Sequence, residues 1–453
     1  MTAFKSYAQK FFDGYFYPVF IALIIFIGHT FSIEAFSTSI VVISAIMCVL
    51  ICDDLRALIS PFFMILFNFS YKTYKSGWLG KGSFAIFVGI LLTLFFGSVI
   101  AHFIIYKKGK LLKSIPKSAL FWGIIALSIA FLLNGFFNFK EYTAINIIFA
   151  LLLIFFLAIT YFIFFCGIIN RDDTTEYLFY VLYVASILLI LQMAVLLLRD
   201  ASFFPDGSID KNTLILGWGM WNNVGGMLAM LLPVHFYYAA VKKHGYIFYA
   251  TAMLTYITIV FTLSRSSLLF ATLISIICVA IICFKGQNIR INRIISCCLA
   301  VVAVLGIIVL WGKISNVLAS YLNQGFDDNG RIELYKHGFE NFLSHPIFGG
   351  GFDSCMEDNF GHGIEPNRYH NTFIELIATC GVLGIGAYIF HRYQTIRLIL
   401  KRREHLSTLF LTLSIATLLL TSLLDNHFFN LYPTMYYSVI LCVLEKNDSI
   451  VSK

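Results

Sequence analysis

Residues 368–384 read RYHNTFIELIATCGVLG: an arginine and a histidine, then an almost wholly apolar run. Runs of this kind recur near residues 16–32, 35–52, 55–70, 83–106, 119–139, 143–168, 177–198, 220–241, 246–263, 268–284, 294–312, 371–391, 407–424 and 428–445. A bilayer core takes about 20 mostly apolar residues per helix. Inside it every backbone N–H and C=O must be bonded within the protein, which repeated long runs achieve as helices. The expected fold is therefore all-α, a polytopic transmembrane helix bundle of twelve to fourteen spans. The count is a range because 55–70 is short and contains Pro61. Residues 35–70 read equally as a pair of short helices, a re-entrant pair, or one span with an interfacial piece.

Composition agrees. The 453 residues are 59% hydrophobic and 12% charged, with a mean hydropathy of +0.84, whereas soluble domains carry about 25% charged residues. The net charge of +8 does not point to nucleic acid, because the basic residues lie in short loops between apolar runs, where they set topology. With the N-terminus on the inner side, inner loops hold most of the 32 lysines and arginines, above all KKGKLLKSIPKS (107–118) and HRYQTIRLILKRREH (391–405). Lys72, Lys75 and Lys81 fall on the outer side, against the trend. The first run follows only Lys5 and Lys10 and lacks a small-residue cleavage site, so it reads as an uncleaved anchor. Of the ten cysteines only Cys355 stands in a long polar loop. The others behave as small hydrophobes, with neither a disulfide framework nor zinc-site spacing.

One connection is long: residues 313–369, on the expected outer side. Loops of such length in compact proteins are functional or disordered. This one is aromatic and glycine-punctuated, NGRIELYKHGFENFLSHPIFGGGFDS (329–354), which favours order. From Arg331 to Phe342 the residues Ile332, Leu334, Tyr335, Phe339 and Phe342 recur at mostly helical spacing, predicting an amphipathic helix on the bilayer surface. HPIFGGG (345–351) must break it. No internal repeat of the transporter kind is visible.

Arg265 (in TLSRSSLL), Arg331 and His370 belong to the same expected face. Arginine beside hydrocarbon carries a penalty, about 2.5–3.5 kcal/mol at the bilayer centre and less at its edge. Either it snorkels to lipid head groups or it meets a phosphate, whose oxygens fit its planar fork. His370 reads as a proton acceptor or as a simple hydrogen-bonding residue at a helix start, with Asn371 as the cap. Asn222 and Asn223, at the start of the 220–241 run, could hold sugar hydroxyls or phosphate, with Trp218 and Trp221 either as stacking faces or as an ordinary aromatic belt. Glu375, one turn into its run, should face the bundle or a wet cavity. Asp425 and His427 read as structural. Asp53-Asp54 and Asp172-Asp173 are expected on the inner side, and Asp327-Asp328 on the outer side reads as solvated. With no P-loop and no ligand cluster, neither metal nor cofactor is expected.

His370, Asn371, a nine-residue spacer, Gly381 and then Gly384 reproduce, at every fixed position, the signature of the bacterial O-antigen ligase family. The stretch 220–391 also resembles the wider ligase and polymerase superfamily: Ser264-Arg265 between two spans, Arg331 near the start of a large outer loop, HPIFGGG, then the histidine. The chain accordingly divides into an N-terminal transmembrane region (1–219) expected to offer a groove for a lipid tail, a ligase-like core with its outer loop (220–391), and C-terminal helices (392–453). The resemblance implies a metal-independent glycosyltransferase, multi-pass in the bacterial cytoplasmic membrane among its lipids. It would move a glycan from an undecaprenyl-diphosphate carrier to the hydroxyl of a glycan or glycolipid acceptor at the outer face.

In that reading His370 is the general base. Arg265 and Arg331, with Arg368 and Lys336 behind them, meet the diphosphate, and Asn222, Asn223, Trp221 and Asn371 touch sugar or acceptor. Two rivals stand beside it. One is an O-antigen, capsule or exopolysaccharide polymerase, with a second lipid-linked glycan as acceptor. The other is a lipid-linked glycan transporter, which would place charges near mid-membrane and would not require the long loop.

Overall fold

The computed structural model describes residues 2–69, 82–107, 111–138, 143–169, 173–203, 209–309, 311–312, 331–355 and 368–446. Lys72, Lys75, Lys81, Asp172, Asp327-Asp328 and the loop portions 313–330 and 356–367 lie outside the described residues. Among the described residues the principal helices are α1 (Thr2–Asp13), α2 (Phe16–Phe31), α3 (Glu34–Ile51), α4 (Leu55–Asn68), α5 (Gly82–Lys107), α6 (Phe121–Leu132), α7 (Ala144–Gly167) and α8 (Thr174–Asp200). They continue as α9 (Trp221–Val241), α10 (Ile247–Phe261), α11 (Arg265–Phe284), α12 (Ile289–Val309), α13 (Arg331–Ser344), α14 (Thr372–Leu400), α15 (Leu406–Asp425) and α16 (Leu431–Lys446). The only extended pairings described are two isolated bridges, Phe203 with Ile209 and Ile215 with Met220.

Eight of these helices are long and apolar enough to cross a membrane, or up to nine if α1 and α2, bent by 70° at their junction, form one span. The apolar runs at 55–70, 119–139 and 246–263 are shorter helices (α4, α6 and α10). Length and Pro61 foretold the shortness of α4, but it is no interfacial piece: Leu55, Ala57, Ile59, Phe63 and Met64 are all buried. Its last residue, Asn68, is sealed by bonds to Glu34 O at 3.0 Å, Thr38 Oγ1 at 2.8 Å and Ser37 Oγ at 2.7 Å on α3.

In lipid, helices associate by close packing and interhelical hydrogen bonds rather than by hiding from water. α9 is the central post, almost wholly buried and packed on α10, α11 and α15. Its His235 uses both ring nitrogens, 2.9 Å from Thr251 Oγ1 on α10 and 2.9 Å from Ser186 Oγ on α8. One apolar core runs from Phe12 on α1 to Leu444 on α16, so the segments 1–219, 220–391 and 392–453 share it. At the end of the bundle away from His370, Arg56 pairs with Asp173 and lies 4.9 Å from the Tyr177 ring. There too the Glu445 carboxylate accepts from Ser118 Oγ at 3.0 Å and Ala119 N at 2.6 Å.

α13 forms where the spacing predicted it and stops at Ser344, directly before HPIFGGG. It buries Leu334 and Gly338 beside Tyr369 and Ile374, and turns Ile332, Phe339 and Leu343 outward. α14 departs from the uniform span its apolar run suggested. Gly381 leaves helical geometry (φ 61°, ψ −154°) and bends the helix. The rings of Phe373 and Tyr388 lie 5.8 Å apart, although a straight helix would separate their backbones by about 22 Å at 1.5 Å per residue.

HPIFGGG fills the break. The N–H groups of Gly350 and Gly351 donate to Ala378 O (2.8 Å) and Thr379 O (3.1 Å), while Val382 N and Leu383 N donate to Pro346 O (2.8 Å) and Ile347 O (3.2 Å). The backbone bonds that the kink removes from α14 are thus replaced from outside it, as a buried backbone requires. An alanine Cβ at Gly381 would lie 2.6 Å from Ile347 backbone atoms, whereas at Gly386 it would meet nothing within 4 Å. Gly381→Ala should therefore destabilise the protein by about 2 kcal/mol or more, while Gly386→Ala stays within about 1 kcal/mol of the parent. Thermal unfolding in detergent micelles checks both.

Candidate functional site

The site is assembled at the C-terminal end of α15. Its last residue, Asp425, has a side chain only 4% exposed, where the helix dipole disfavours a negative charge. Three donors offset this: Asn222 Nδ2 at 3.0 Å and Arg331 Nη2 at 3.3 Å on Oδ1, and Ser266 Oγ at 2.5 Å on Oδ2. His370 presents Nδ1 at 3.9 Å from the same Oδ1 with its side chain 44% exposed, so the ring meets both the carboxylate and the surroundings. Asn222 stands in the first turn of α9, Ser266 in that of α11 and Arg331 in that of α13, with His370 two residues ahead of α14. Four helix starts, each with positive dipole potential, converge on one helix end.

Local sequence explains each placement. Ser264 caps α11 by accepting from Ser267 N at 3.4 Å, which directs Ser266 inward and leaves Arg265 exposed. Asn371 caps α14, its Oδ1 accepting from Phe373 N (2.9 Å) and Ile374 N (3.2 Å). His370 itself takes φ 52°, a left-handed conformation that costs a non-glycine residue about 1–2 kcal/mol. The neighbouring Tyr369 is fully buried, stacks on His337 at 6.1 Å between ring centroids and donates from its hydroxyl to Ser354 O at 3.0 Å. His427, next but one to Asp425, lies buried with its ring against Gly226 of α9. Burial lowers its pKa.

The spacing of the motif has a geometric meaning. The nine residues between Asn371 and Gly381 are the arm of α14, Thr372–Cys380, that runs from cap to kink. Gly384 follows because a Cβ there would come 2.4 Å from Cys380 Cβ across the bend.

His370, Arg331 and Asn222 are therefore brought together, and Arg265 begins the helix whose next residue binds Asp425. Trp221 and Asn223, half-buried, flank Asn222. The other residues expected at the site are not among the partners of Asp425. Arg368 donates from Nη1 to Phe429 O at 2.5 Å, with its guanidinium 4.6 Å from the Phe149 ring. Lys336 is exposed, five residues along α13 and on a different face from Arg331. Asn371 caps α14 with its oxygen, and its Nδ2 donates to Leu423 O at 2.9 Å. Trp218 is no stacking face, being 5% exposed against the Phe67 ring, with Nε1 at 3.4 Å from Gln192 Oε1.

Asp425, read from sequence as structural, is the hub. Its partners lie on distant segments, and an acid ending an apolar run gives no local sign of them. Among the described residues no group of three or more His, Cys, Asp or Glu side chains could hold a metal ion.

A helical bundle with eight membrane-length apolar helices is a multi-pass membrane protein. Residues 250–389 match the O-antigen ligase family, which supports a ligase- or polymerase-type function in general. The resemblance carried by His370, Asn371, Gly381 and Gly384 holds over this segment, while Asn222 and Asp425 lie outside it on either side. No curated protein matches the chain.

The cap assignment predicts that Asn371→Ser, which keeps a capping oxygen, retains most of the parent's stability and activity. Asn371→Ala should lose about 0.5–2 kcal/mol. Thermal unfolding and glycan transfer measured on both variants check this.

Proposed function

We propose that the protein is a metal-independent glycosyltransferase of the cytoplasmic membrane. It moves a glycan from undecaprenyl diphosphate to an acceptor hydroxyl at the outer face. The observation that carries the reading is the exposed His370 ring set against the buried carboxylate of Asp425 where four helix starts meet. With Nδ1 toward Asp425, Nε2 takes the proton of the acceptor hydroxyl as its oxygen attacks the anomeric carbon. The new glycosidic bond forms as the bond from that carbon to the diphosphate breaks. The lipid diphosphate leaves with the bonding electrons. Asp425 holds the ring's orientation and stabilises the imidazolium that results, as a buried carboxylate does for a catalytic histidine elsewhere.

Charge on the departing diphosphate is met by Arg265 and by the donors of Arg331 that Asp425 leaves unused, since a guanidinium has five N–H groups. Trp221 and Asn223, beside Asn222, would meet sugar. The bundle between the site and the Arg56 end would carry the polyprenyl tail.

The test uses the purified protein in lipid with lipid-linked oligosaccharide from its source cell, following glycan size with and without acceptor glycolipid. His370→Ala should slow transfer by at least about 100-fold, and Asp425→Ala by a comparable factor. Product only with added acceptor defines a ligase; a ladder from donor alone defines a polymerase. Parental activity in His370→Ala would overturn the assignment.

A further inference from the structure

Glu375 lies one turn into α14 and is 1% exposed. Its Oε2 accepts two hydrogen bonds, from Tyr369 N at 2.9 Å and from Asn426 Nδ2 at 2.7 Å. Tyr369 directly precedes His370, and Asn426 directly follows Asp425. A single carboxylate oxygen therefore grips both chain segments that carry the base and its partner.

Both segments need to be held. His370 and Asn426 each have φ 52°, and a non-glycine residue stays in this region only where its surroundings over-determine it. The same arm of α14 adds further ties: Thr372 Oγ1 donates to Asn426 Oδ1 and to Ser422 O, each at 3.1 Å. Both groups that face Oε2 are donors, matched to an accepting oxygen. Arg368 stands on the same segment, two residues before His370. Arg368 is in turn fixed by Phe429 O and the Phe149 ring.

We propose that Glu375 is a positioning residue for the transfer reaction, setting the separation of His370 from Asp425 by fastening both left-handed turns to the arm of α14. The inference rests on the reading of His370 as the base. Catalytic geometry is steep in distance, with a misplacement of about 1 Å worth about 100-fold in rate. Loss of the clamp should therefore appear in kcat and leave substrate affinity largely alone.

The experiment measures kcat and KM for lipid-linked oligosaccharide with the full chain in lipid, for the parent, Glu375→Gln, Glu375→Ala, Asn426→Ala and His370→Ala. Glu375→Ala is expected to lower kcat by about 100-fold with KM within about threefold of the parent. Glu375→Gln retains an accepting oxygen and should recover to within about tenfold of parental kcat, with Asn426→Ala between the two. Parental kcat in a folded Glu375→Ala, or a loss confined to KM, while His370→Ala is inactive, would overturn the clamp and leave the base standing. Activity in His370→Ala would instead remove the base assignment itself. Should Glu375→Ala fail to fold, Glu375→Gln and Asn426→Ala decide, and parental kcat in both overturns the proposal.

Discussion

A negative charge at the C-terminal end of a helix is opposed by that helix's own carbonyls, and the site is organised around one that is kept there. Asp425 ends α15 almost wholly buried. Removing a carboxylate from water is unfavourable by several kcal/mol after relaxation unless donors replace its hydration. Donors arrive from three separate helices, in Asn222, Ser266 and Arg331. The demand of one buried anion thereby draws the starts of α9, α11 and α13 to a common point, and His370 completes the ring with a side chain still open to an incoming ligand. The result is a set of fixed donors beside a titratable nitrogen. Developing negative charge on a leaving group is best met by such preorganised donors, because they need no rearrangement as the charge forms.

The second constraint is the interruption of α14. A broken helix within a membrane bundle must find substitutes for its lost backbone bonds, and HPIFGGG supplies them on both sides of Gly381. This couples the loop that carries α13 and Arg331 to the arm that carries the cap beside His370. The turn after α15 is supported from below as well. The Arg392 guanidinium lies 4.7 Å from the Phe428 ring and within 5 Å of Tyr388 and Tyr437. Cation–π contacts of this kind gain strength where water is excluded, which gives a span arginine a structural place with no acidic partner among the described residues.

Much of this was legible in the sequence, and the exceptions have physical reasons. Apolar runs gave the all-helical class because hydrophobic length is read directly by the bilayer. The helix at 331–344 and its stop followed from spacing and from the glycines, and Asn371 followed from cap chemistry. The kink was not legible, since the apolar run passes through Gly381 unchanged and only the docking of residues 346–351 reveals the bend. Trp218 followed the interface rule in composition yet is drawn inside with Leu214 and Leu216. Asp425 stayed hidden because its meaning lies wholly in tertiary contacts, and the contacts of Arg368 with Phe429 O and the Phe149 ring were hidden because proximity in sequence to His370 does not fix the direction in which a side chain turns.

The central claim is that His370 takes a proton at a site held by Asp425. The most direct measurement is chemical rescue: single-turnover glycan transfer by His370→Ala in lipid, with increasing concentrations of free imidazole. A ring that leaves an accessible space next to an intact carboxylate should be replaced by free imidazole. The account predicts saturable recovery of the rate in His370→Ala and none in Asp425→Ala, where His370 is still present. Transfer by His370→Ala that needs no imidazole, or equal stimulation of the parent and of both variants, would contradict it.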